Sequence, residues 1–217
     1  MRNPTRITAV IVRVNCSRIC SWMALALALC LLPLRGHATM VVAPGFDSLV
    51  SQADYVVRAV VTSVTSEWRI DGANRHIITK VALNVTEVIK GTPPSPLVLT
   101  VLGGRIGQDE MRVDGAPSFI VGDDQILFVH GNGRQFIPLV AIMYGQYLVV
   151  HDHASGQDLI HRSNGSPLYD VKDVALPMTA ANALGASAPR PLTVADFAGK
   201  IRASIFQHPV SPHANAN

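Results

Sequence analysis

From His76 to Lys90 the chain alternates apolar and polar residues with a period of two. Ile77, Val81, Leu83, Val85 and Ile89 fall on one side, and His76, Lys80, Asn84, Thr86 and Lys90 on the other. No helix tolerates that period; a strand with one dry and one wet face requires it. Such strands belong to antiparallel sheets. The segment before it, Tyr55 to Trp68 (YVVRAVVTSVTSEW), is dense in β-branched residues and predicts a second long strand. Asp71-Gly72 supplies the turn between the two. A mainly β domain follows from these two segments alone.

The remaining punctuation extends the pattern. Three prolines within KGTPPSP (90–96) end the strand, because proline cannot donate to a ladder. Leu97 to Gly104 predicts a third strand, with a bulge or bend at Gly103-Gly104. Asp124 to His130 predicts a fourth, GNGR a tight turn, and RQFIPLV (134–140) the returning strand. GQYLVVHDHASGQDLIHR (145–162) predicts another hairpin with its tip at Ala154 to Gly156. Helices are expected only at the ends. Asp47 is placed to cap Ser48 to Ala53, with Leu49 and Val50 as apolar contacts. Thr193 is placed to cap Thr193–Ile205, with Asp196 completing a box and Val194, Phe197, Ile201 and Ile205 lining one face. Turn-spaced strands with terminal helices indicate a small β-barrel or sandwich.

The first forty residues read differently. Arg2, Arg6, Arg13 and Arg18 precede an apolar stretch of 12 residues, Met23 to Leu34, and the small residues of Gly36-His37-Ala38 follow. A bilayer span needs about 20 apolar residues. The segment therefore reads as a secretory leader over 1–38, cleaved after Ala38, with Met23 as an alternative start and a retained anchor helix as the rival reading. Cys16, Cys20 and Cys30 all lie inside it, so the expected mature chain has no disulfide. Five of the 18 basic residues (2, 6, 13, 18, 35) lie there too, leaving 18 − 5 = 13 against 15 acidic ones, a net of −2. No basic cluster remains, which argues against a nucleic-acid partner. The expected organisation is leader 1–38, β domain 39–174, Ala/Pro-rich linker 175–191, helix 192–207 and tail 208–217.

The stretches SLVSQADYVVRAVVTSV, VTEVIKGTPPSPLVLTVLGG, VDGAPSFIVGDDQILFV and GQYLVV resemble a family of exported bacterial proteins. The most telling motif is Gly115-Ala116-Pro117, Phe119, Gly122-Asp123 and the apolar strand after it. The arrangement is also similar to the OB-like barrel of the tissue inhibitors of metalloproteinases and netrin-like modules. That resemblance implies a small antiparallel OB-like β-barrel with a short N-terminal and a C-terminal helix. It also implies a protein partner such as an extracellular matrixin-like protease. One departure matters: those inhibitors chelate the protease zinc through an N-terminal cysteine, and the expected mature chain has none. A second departure is Ala59, where the family pattern has glycine.

Candidate sites are few. Asp123 and Asp124 are adjacent, so in a strand they point to opposite faces, and Gly122-Asp123 reads as a turn. His151 and His153 share a strand face, and His161 lies across the hairpin. Two such imidazoles plus a third suit zinc or copper, with a solvated polar hairpin as the alternative. No Gly-x-Ser-x-Gly, His-Glu-x-x-His, Walker or Gly-x-Gly-x-x-Gly motif occurs, so no catalytic residue and no cofactor is expected. The long connection Gly103 to Pro117 carries Arg105, Ile106, Asp109, Glu110, Met111 and Arg112, a candidate partner-binding loop. The alternative folds it over the barrel end, with Met111 and Val113 plugging the core. The expectation is an exported, non-enzymatic protein-binding module with no membrane span after leader cleavage. The rivals are an envelope accessory protein without a ligand and a metal-binding protein using the histidine hairpin.

Overall fold

A computed structural model describes residues 42–72, 74–178 and 190–207. The expected leader, residues 179–189 of the expected linker, and the expected tail lie outside the described residues. Strands β1 (Tyr55–Asp71) and β2 (Asn74–Lys90) form a hairpin of two 17-residue strands, turned at Gly72. Its pairing is interrupted three times: Ile89 and Thr86 of β2 and Thr62 of β1 have no opposite number. The Thr86 hydroxyl donates to the Arg58 carbonyl (3.2 Å), and that of Thr62 to Ala82 (3.0 Å). Each extra residue bends the strand and shifts the following side chains to the other face. Ile89 therefore leaves the face of Val81 and Leu83 and joins the opposite core. That corrects the single apolar face read from the sequence.

Strands β3 (Leu97–Leu102), β6 (Asp124–Val129), β7 (Gln146–Asp152) and β8 (Gln157–Arg162) complete a six-stranded antiparallel sheet, ordered β3-β2-β1-β6-β7-β8. In the order β6-β1-β2-β3 the fourth strand returns beside the first, which is a Greek key. Its long connection, between β3 and β6, contains a separate two-stranded sheet, β4 (Gly104–Ile106) and β5 (Asp109–Met111).

Both faces of the sheet are covered. Helices α1 (Phe46–Gln52) and α2 (Val194–Gln207) lie on one, burying Val56, Ile126, Phe128, Tyr147 and Ile160. On the other, Val57, Ala59, Val81, Leu99 and Leu127 pack with Ile137, Leu139 and Phe119 of the connections. Strand β6 serves both cores, so its run Gln125–Val129 is buried throughout.

The sheet does not close into a barrel. Residues 134–140, expected as a strand, make only an isolated bridge, Leu139 to Val129. Pro138 lacks the N–H that a ladder position needs. The irregular segment instead lies against the edge of β3: Leu102 N donates to Phe136 O (2.7 Å), and Asn132 Nδ2 to Val98 O (2.9 Å). At the other edge, Ile160 N donates to Leu192 O and Arg162 N to Ser166 O. Covered edges resist pairing with other chains.

The helix ends differ in how well they were anticipated. Thr193 and Asp196 form the expected box: Asp196 N donates to Thr193 Oγ1 (3.1 Å), and Thr193 N to Asp196 Oδ2 (3.3 Å). Asp47 does not cap α1; Gly45 is the N-cap, and Asp47 accepts from the Ser204 hydroxyl of α2 (2.8 Å). Arg162 is fully buried and donates to the carbonyls of Leu176 and Pro177, fixing the chain beyond the 3-10 turn Val171–Ala175. Among the described residues, no helix is long and apolar enough to cross a membrane.

Candidate functional site

The long connection is built rather than loose. Gly103 and Gly104 have φ of 98° and 139°, values that turn the chain out of β3 at little cost only for glycine. Two hydroxyls seat the exit: Ser66 and Thr79 are 3.0 Å apart, and Thr79 Oγ1 donates to Gly103 O (2.6 Å). Arg105 N then donates to Ser66 Oγ (3.3 Å). The β4–β5 hairpin follows, turning at Gly107 (φ 60°). Arg105, Asp109, Glu110 and Arg112 are exposed, while Ile106 and Met111 are half-buried. Val113, Ala116 and Phe119 pack on the core of the face away from the helices. A cleft of ≈ 560 Å³ lies between the hairpin and this return, with Val64, Val101 and Met111 in its walls. Met111 thus lines an opening, and it is Val113 that covers the core.

Gly104 offers a direct check on that seat. A Cβ there would run into the Thr79 and Ser66 hydroxyls, on a backbone that L side chains rarely adopt. Gly104→Ala should cost about 2 kcal/mol. It should also raise amide exchange in residues 104–111 well above that of β1 and β2. Hydrogen exchange read by mass spectrometry separates the local effect from the global one.

The acidic pair divides its work. Asp123 belongs to the turn: Gly122 (φ 97°) donates to Val61 O, and Val61 N to Asp123 O, both at 2.9 Å. Asp124 faces Arg58, whose Nε (2.9 Å) and Nη2 (2.6 Å) both reach its Oδ2. Arg58 Nη2 also reaches Asp158 Oδ2 (2.7 Å), and Asp158 Oδ1 meets His151 Nδ1 (2.9 Å). Glu87 pairs with Arg58 in the β1–β2 register and accepts from Arg202 of α2. A charged row thus crosses the helix-covered face beside a groove of ≈ 840 Å³. Each of its arginines already has a carboxylate partner, so the row reads as a lock between sheet and helix.

The His151 hydrogen bond, then Arg58, hold the Asp158 carboxyl below its ordinary value of 3.8. A depressed carboxylate stabilises the fold fully above that ordinary value and loses its contribution as the pH falls through the lower folded one. Asp158→Asn should therefore lower the urea midpoint at about pH 6, and the difference from wild type should shrink toward about pH 2.5.

His151 and His153 come together, but His161 does not join them. The His151 and His153 rings are 5.1 Å apart. The β7–β8 register places Asp158, and not His161, opposite His151. His161 lies three positions further along β8, hence on the other face, with Nδ1 2.9 Å from Gly165 O. Among the described residues, no three His, Cys, Asp or Glu side chains form a group able to hold a metal ion.

No protein-family model, curated protein or solved structure matches the chain. The Arg58 row escaped the sequence reading; its one local signal is a single arginine inside the apolar run Tyr55–Val61 that opens β1.

Proposed function

We propose that the chain is an exported, non-enzymatic protein-binding module that presents the β4–β5 hairpin to its partner. The observation that carries this is the hairpin itself. It forms a two-stranded sheet of its own, seated on β1 and β2 at Gly104, and carries exposed Arg105, Asp109, Glu110 and Arg112 beside a cleft that Val64, Val101 and Met111 help to line. Long, well-anchored connections on a rigid scaffold are where binding residues concentrate. The Greek key supports an OB-like ancestry, with an irregular segment in place of barrel closure. Export rests on the leader-like residues 1–38. The partner class, an extracellular matrixin-like protease, rests on the family resemblance alone. Without a mature cysteine, inhibition would work by hairpin docking rather than zinc chelation.

Two assays test it with the exported chain purified from its own host. A matrixin from the same secretome should lose activity at saturating chain; full activity there ends the inhibitor version. Immobilised wild type should capture a partner that Arg105→Glu/Glu110→Arg does not. Equal capture by both ends the hairpin version.

A further inference from the structure

Away from the hairpin, α1, α2 and the 3-10 turn Val171–Ala175 surround a cleft of ≈ 550 Å³. Its apolar walls come from Phe46, Val171, Ala175 and Ala203, and Lys172 and Lys200 line it as well. Nearly every lysine and arginine among the described residues is engaged. Arg58, Arg69, Lys80, Arg112, Arg134 and Arg202 have carboxylates. Lys90, Arg105 and Arg162 have backbone carbonyls, Arg190 a hydroxyl, and Arg75 stacks over Trp68. Only the ammonium groups of Lys172 and Lys200 have no hydrogen bond, ion pair or aromatic face as a partner among the described residues, and both border this one cleft.

The acids nearby are occupied. Asp47 accepts from Ser204, Asp173 from the Asp170 N–H, and Asp196 from Thr193. Lys200 acts on Asp196, one turn back, only through space. Asp47 is the single carboxylate in the lining, so the cleft keeps a net positive charge. The volume falls within the roughly 300–1,000 Å³ of small-molecule sites. Apolar walls with two free cations complement one kind of ligand.

We propose that this cleft binds a small amphipathic anion, its apolar body against Phe46, Val171 and Ala203 and its carboxylate between Lys172 and Lys200. The site is separate from the hairpin, and either proposal can fail without the other.

Titration calorimetry with monomeric decanoate tests it, using decanol as the uncharged comparison. Saturable one-to-one binding is expected, about tenfold or more weaker for Lys172→Gln/Lys200→Gln. Both lysines are exposed, so that variant should fold as wild type does, which circular dichroism checks. Ala203→Trp, which fills the cleft from an exposed position, should abolish binding. The proposal is overturned by absent saturation, by equal affinity in the double glutamine variant, or by equal affinity for decanol. Binding to anionic phospholipid vesicles without binding to monomeric decanoate also overturns it, since that marks a membrane surface.

Discussion

Phe197→Ala should lower the unfolding free energy by about 4 kcal/mol, the largest single effect expected in this chain. Phe197 is 0 % exposed at the centre of the helix-covered core. Its ring centroid lies 5.9 Å from that of Phe46, 6.1 Å from Phe128 and 5.0 Å from Tyr147. Truncation removes buried apolar area and three ring contacts, each worth about 0.5–1.5 kcal/mol beyond area. It also leaves a cavity beneath α2 that its surroundings fill only in part. Phe206→Ala, on the same helix but 85 % exposed, should cost under about 0.5 kcal/mol. Urea unfolding of both variants checks the contrast. Similar losses would mean that α2 does not pack on the sheet through this face.

Arg58→Ala should cost about 2–3 kcal/mol. Removing one partner of a buried pair costs about 3–5 kcal/mol because the other is left charged and unpaired. Side-chain exposures of 23 % for both Arg58 and Asp124 reduce that figure. The loss is still large because Asp124 Oδ1 is already buried without a partner, so truncation strips the carboxylate of every donor it has. Arg58→Lys should recover only part of the stability. A single ammonium cannot place two donors on Asp124 while reaching Asp158. A double-mutant cycle between Arg58 and Asp158 should return a coupling of about 1 kcal/mol, measurable by urea unfolding.

Much of the fold was legible because it is written locally. The period of two in β2, the β-branched run of β1 and the Thr193/Asp196 box are short-range signals, and each becomes the element it specifies. The bulges were not legible. Thr62, Thr86 and Ile89 look like ordinary strand residues, and only the pairing leaves them without opposites. Residues 134–140 have a strand's composition, yet β7 already occupies the β6 edge, so that segment runs irregularly. Gly103-Gly104 signalled a bend, but not that the chain would leave the sheet and form its own hairpin.

The charged row was hidden for a different reason. Arg58 is 66 residues from Asp124 and 100 from Asp158, and sheet order alone brings them together. From the sequence, His151 and His153 share a strand face and His161 is expected across the hairpin from them. The register of β7 and β8 instead gives His151 an aspartate and sends His161 to the opposite face.

The β4–β5 hairpin is the surface proposed to meet the partner. The hairpin and its return carry Asp109, Glu110 and Asp114 and no lysine. Carbodiimide coupling therefore joins this segment to lysines of whatever docks on it. The direct measurement is carbodiimide cross-linking of the complex captured from the native secretome, read by mass spectrometry. Links from Asp109, Glu110 or Asp114 to partner lysines are expected, absent when Arg105→Glu/Glu110→Arg is used as bait. Links confined to carboxylates elsewhere, such as Asp152 or Asp170, with none from residues 103–117, would contradict it.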